Sequence, residues 1–140
     1  MSPGNRERGS AIVEFHFLGL LLLVPLVYVL LTVLDVQRTA FGVTQAAREA
    51  GRVFVATGDE AAARLAAEVA LADQGVDAGA AEVAVRCSGA PCYQPGGEIT
   101  VRVRSEVSLP FLPPMIADAV HARIPVDATH AAVIDRFRAL

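Results

Sequence analysis

The sequence predicts an α+β chain: a long transmembrane helix at the amino terminus, a second helix, and a small antiparallel sheet of about three strands. Three observations carry that expectation. An almost uninterrupted apolar stretch runs on to Leu34, helical spacing continues past it to about Ala56, and three alternating runs follow Gly79. At 140 residues the chain has room for one modest domain beside a membrane segment.

From Phe17 to Leu34 no residue is charged, and only Gly19, Pro25 and Thr32 interrupt the apolar run. Eighteen residues at the helical rise make about 27 Å, close to the hydrocarbon thickness of a bilayer. Pro25 removes the bond to the Leu21 carbonyl, which bends a membrane helix without breaking it. A buried core helix is a poor alternative, because the rest of the chain is too small to wrap a helix apolar all round. A cleaved secretory signal also fits badly: the run exceeds the usual length of about 7–15 residues, and no small-x-small site follows Leu34. Arg6 and Arg8 precede the span, while Asp35 and Glu49 offset Arg38, Arg48 and Arg52 beyond it, so the charge bias places the amino terminus inside.

Past Asp35 the apolar positions Val36, Ala40, Val43, Ala47, Ala50 and Phe54 recur at three and four residues, which predicts one helix from about Ser10 to about Ala56. Its outer half holds two small-xxx-small pairs, Ala46 with Ala50 and Ala47 with Gly51. They suit either close approach of another helix or packing on the chain's own domain. Thr57 to Glu60 reads as a capping box that opens a second helix, with Thr57 as the cap. That helix runs to about Gln74 with Leu65, Val69 and Ala72 on its stripe, and Gly75 ends it.

The period then changes to two. Ala81, Val83, Val85 and Cys87 alternate with polar or small residues, and Ile99, Val101, Val103, Val107 and Leu109 form the cleanest strand. The two predict a hairpin whose tip carries the cysteines, and the segment Pro110–Pro114 breaks the second run. A third alternation through Val120, Ala122, Ile124, Val126 and Ala128 contains Pro125, which predicts an edge strand. From His130 onward the pattern fits a helix or a frayed tail equally. Three strands are too few to stand alone, so the sheet must lie against the helices.

Composition excludes more functions than it suggests. The net charge of −3 and the lack of any block of like charges give no nucleic-acid signal. There is no phosphate-cradling glycine loop, no nucleophile elbow and no histidine pair at metal spacing, so no catalytic residue, cofactor site or metal site is expected. His121 and His130 flank Asp127, but solvated positions on a strand account for them more simply than catalysis does. Cys87 and Cys92 bracket Ser-Gly-Ala-Pro. In an exported segment such a pair reads as a disulfide closing a small loop, the alternative being two free thiols. Zinc would need about four ligands, and no histidine lies near.

One residue breaks the apolar pattern: Glu14, at the mouth of the span, beside Phe15 and His16. A charge in a lipid-facing helix costs about 2.5–3.5 kcal/mol even on the gentler scales. Glu14 is therefore either an interfacial acid at the bilayer edge or half of a charge pair inside a helical assembly. Cleavage after Gly9 would supply the other half, a new α-amine on Ser10, which reaches Glu14 most readily from a neighbouring, axially offset subunit.

The run Arg8-Gly9-Ser10-Ala11-Ile12-Val13-Glu14-Phe15 resembles the class III signal of type IV pilins, and more closely the TadE-like pseudopilins of the tight-adherence (Tad) system. In that family a short leader ends in glycine, and glutamate at the fifth mature position is followed by an aromatic residue and a long hydrophobic helix. The resemblance covers roughly residues 8–56, including the Ala/Arg-rich stretch from Ala46 to Arg52. It implies a processing site at Gly9–Ser10, cut on the cytoplasmic side by a prepilin peptidase, with Glu14 and Phe15 serving assembly. Ser10 departs from the phenylalanine of typical pilins at the first mature position. The implied organisation is a leader over 1–9, a transmembrane helix over 10–36, its extracytoplasmic continuation over 37–56, and a small α+β domain over 57–140. The implied protein is a minor pseudopilin of a Tad-type pilus, not an enzyme, with no cofactor. Its partners are the membrane, the prepilin peptidase, other Tad pilins and pseudopilins, and the assembly platform proteins, with no nucleic acid. Its implied place is the cytoplasmic membrane, single-pass, with the carboxy-terminal domain outside. The rival expectation is an uncleaved single-pass anchor carrying an extracytoplasmic binding or sensing domain.

Overall fold

The computed structural model describes residues 7–109, 115, 119 and 123–137, with side chains from Ala11 onward. Two helices and three strands follow in order: α1 (Glu7–Thr57), α2 (Glu60–Asp73), β1 (Glu82–Cys87), β2 (Glu98–Ser108) and β3 (Arg123–Val133). The layout is α+β, led by a long apolar helix. The chain divides into two compact units at Leu34 and Asp35. The leader residues before Glu7, the Pro110–Pro114 segment, Val120, His121, Ala122 and the last three residues lie outside the described set.

In the first unit the helix presents large apolar side chains on every side. Phe15, Phe17, Leu22 and Val24 are all more than 60% exposed, and Leu21 and Leu26 are exposed as well. No stripe is reserved for a protein core. One helix of the described residues is long and apolar enough to cross a membrane, which makes it a candidate single-pass anchor.

The second unit folds around a core shared by residues 43–54 of α1, by α2 and by the sheet. Val43, Ala46, Ala47, Ala50 and Phe54 are buried, as the spacing predicts. The small-residue pairs are occupied within the chain: a Cβ placed on Gly51 would stand 3.0 Å from the His130 ring, and one on Gly42 would stand 3.0 Å from Val76. This stripe receives the chain's own strand and loop.

Two local expectations are corrected. Asp59, not Thr57, caps α2: its Oδ1 accepts from the Ala61 amide at 2.8 Å and from that of Ala62 at 3.4 Å. Thr57 still belongs to α1 and donates back to the Val53 carbonyl at 2.8 Å. Glu60 pairs with Arg64 one turn on instead of reaching back. The second correction concerns which face of α2 is inside. Ala63, Ala67, Ala70 and Leu71 are buried, whereas Leu65, Val69 and Ala72 all face out. The core takes the face that carries Leu71 and three alanines, and the larger pair is turned away. The end of α2 is as expected. Gly75, at φ +66°, donates to Ala72, and the Val76 amide donates to Leu71, the paired bonds of a left-handed helix stop.

The sheet is an antiparallel meander in the order β1-β2-β3. Along β2, Ile99, Val101, Val103, Ser105 and Val107 point inward, and Arg102, Arg104 and Glu106 point out. β3 extends further than its apolar residues suggest, through Thr129 and His130 to Val133. Pro125 lies on this outer strand, opposite Glu106. Ile134 follows, fully buried, and exchanges both backbone bonds with the glycine pair: Gly96 donates to its carbonyl at 2.9 Å, and it donates to Gly97 at 2.8 Å. The segment after His130 is thus strand and anchor for most of its described length, neither helix nor loose tail.

Candidate functional site

Gly9 and Ser10 fall in the first turn of α1, with their side chains outside the described set. Helix-opening amides have no intrahelical acceptor, and glycine is the weakest helix former after proline.

Glu14 and Phe15 are exposed on the same helix, Phe15 with its ring edge-on to that of His16. A lipid-embedded helix must satisfy its polar groups internally. His16 does so through Nδ1 and the Ile12 carbonyl at 2.8 Å, and Thr32 donates to the Tyr28 carbonyl at 2.9 Å. The Tyr28 hydroxyl has no hydrogen-bond partner. Among the described residues Glu14 has none either, and no cation stands within its own turn.

The cysteine loop lies at the far end of the second unit. Cys87 and Cys92 are at bridging distance, their Cα atoms 5.2 Å apart. The loop is not a free tip. Tyr93 donates to the Val55 carbonyl at 3.1 Å, lies edge-on to Phe54 at 6.2 Å, and covers Gly58, which holds φ +71° at the turn between the helices. The hairpin is thereby pinned to the end of α1. Sequence spacing gave no hint of Tyr93's role, because its partners are remote along the chain. Closing so short a loop stabilises the fold by about 2 kcal/mol on the chain-entropy estimate. Full reduction is expected to lower the unfolding free energy by that amount, read by denaturant titration, while leaving the far-ultraviolet circular dichroism intact, since Tyr93 still holds the loop.

Several other charged groups are engaged in pairs on the surface. Asp127 accepts from Arg102 at 2.9 and 3.2 Å across the outer face of the sheet. His130 instead faces inward over Gly51, so it does not share a face with Asp127. Glu49 is held below the ordinary carboxylate range by hydrogen bonds from Arg52. No cluster of histidine, cysteine, aspartate or glutamate able to hold a metal is found among the described residues.

No family model, no curated protein and no solved structure matches this chain. What it can do is therefore read from its own groups: a long apolar helix, an acid on it with no partner among the described residues, and a second unit whose hairpin is pinned to α1.

Proposed function

We propose that this chain is a minor pseudopilin of a Tad-type pilus. On this reading a prepilin peptidase cuts after Gly9, the span stays in the cytoplasmic membrane with the outer domain outside, and the subunit then primes or enters a filament. The observation that carries the reading is Glu14: an acid without a partner, in a helix exposed on all sides, one turn beyond the bond that would be cut. Cleavage creates an ammonium at the new helix start. A positive charge there opposes the helix dipole, so it gains from a nearby carboxylate. In the low dielectric between packed spans the attraction is much stronger than in water. The engaged small-residue stripe of α1 supports a role for the span, not the outer half of α1, in helix-to-helix assembly.

The rival, an uncleaved anchor with a binding domain, draws on one observation: Gly9 and Ser10 are helical here, whereas a scissile bond must be extended. Mass spectrometry of the protein extracted from its native membrane decides between the two. A chain beginning at Ser10 is expected. An intact Met1, or a cut beyond Leu34, would mean that the chain is an ordinary anchor or an exported fragment.

A further inference from the structure

The outward face of α2 and the segment after β3 are complementary surfaces that the fold leaves apart. Leu65 and Val69, one turn apart, are 61% and 54% exposed. With Ala62 and Ala66 they floor a hollow of about 540 Å³ between α2 and α1, bordered by Gln45 and Asp73. That is within the size range of small-molecule and side-chain pockets, about 300–1,000 Å³. The helix and its cap carry four carboxylates, Asp59, Glu60, Glu68 and Asp73, against one cation, Arg64. Arg64 is committed to Glu60 and to the Val83 carbonyl. Asp73 at the rim has no ion-pair partner among the described residues.

Phe137 is 95% exposed, the most exposed large apolar side chain of the described residues. It is not loose: its amide donates to Asp135 Oδ1 at 2.9 Å, which fixes a turn directly after the buried Ile134. Arginine precedes it at Arg136 and follows it in the sequence at Arg138. An aromatic side chain between two cations thus projects from one part of the outer domain, and an apolar hollow with an acidic rim opens on another. Its exposure means that Phe137 does not fill the hollow of its own chain.

We infer that the Phe137 side chain of one copy docks on the Leu65–Val69 hollow of a second copy, with Arg136 facing Asp73. Charge complementarity selects the occupant, since a lipid surface of anionic headgroups would be repelled by α2. The two patches are different, so the contact is head-to-tail, and head-to-tail contacts that do not close generate open filaments. The inference rests on the reading of the chain as an assembling subunit and names the contact between outer domains in that assembly.

The test uses the full chain in native membranes, with Phe137→p-benzoylphenylalanine as a photocrosslinker. Irradiation is expected to give a dimer in which residue 137 is joined to the tryptic peptide Leu65–Arg86. Asp73→Arg should lower the yield roughly tenfold through like-charge juxtaposition, and adding Arg136→Asp should restore it. Leu65→Gln, at an exposed position, should lower the yield without changing the melting temperature. Absence of a dimer, a dimer joined elsewhere, capture of a different protein, or indifference to Asp73→Arg would each overturn the docking. The amino-terminal mass, read on the same sample, separates the two proposals. A chain cut to Ser10 that fails to crosslink removes the docking alone, and an uncut chain that crosslinks removes the pseudopilin reading alone.

Discussion

A chain carrying Glu14→Gln is expected to be cut after Gly9 as the native chain is, and to enter filaments roughly a hundredfold less or worse. The estimate follows from the cost of leaving one member of a low-dielectric ion pair alone, about 3–5 kcal/mol. Glutamine keeps the size and the hydrogen-bonding capacity of the side chain while removing its charge. On the proposed reading the peptidase acts at the Gly9–Ser10 bond, upstream of the change, and so should process the variant. The measurement is the ratio of subunit in sheared filaments to subunit in membranes, each identified by its mature mass. Unchanged incorporation would show that no charge pairing occurs at this position. Loss of cleavage in the variant would instead assign Glu14 to peptidase recognition.

The second large effect is expected at Ile134. Its side chain is fully buried and its backbone is tied to both Gly96 and Gly97. Ile134→Ala removes buried methyl groups and leaves a cavity, at a cost of about 2–5 kcal/mol. For a domain of this size that is a fall of roughly 10 °C or more in melting temperature. Phe137→Ala, three residues on and almost wholly exposed, should leave the melt within about 2 °C. Thermal denaturation of the full chain in detergent, followed by circular dichroism, checks both. Equal effects, or none at Ile134, would mean that the segment after β3 does not anchor the sheet.

The sequence was most readable where one physical pattern acts alone. The apolar run to Leu34 is long enough to cross a membrane, and the strict alternation of Ile99 to Val107 is that of a half-buried strand. It was least readable where two patterns compete. Large apolar residues at Leu65 and Val69 suggest an inward stripe, yet Ala63, Ala67, Ala70 and Leu71 take the interior. Thr57 and Asp59 are both good caps. Which of them acts depends on where α1 stops, and Gly58, with its positive φ, sets that point. Beyond Ala128 the alternation is hidden by Thr129 and His130. The histidine is inside because Gly51 leaves room for its ring, a correspondence between residues far apart in the chain. At the candidate site the sequence already marked Glu14 as anomalous. It could not tell how His16 is engaged, and the structure sets its Nδ1 on the Ile12 carbonyl.

Pro125 bears on how such a chain avoids associating in the wrong way. A proline has no amide hydrogen, so on the rim of β3 one donor is missing from the row that a foreign strand would need for pairing. The opposite rim belongs to β1, only six residues long. Backbone-to-backbone stacking into cross-β aggregates is thereby discouraged at both margins of the meander. Where many copies crowd on one membrane, contact is steered toward side chains, which can discriminate between neighbours, and away from main-chain zippering, which cannot.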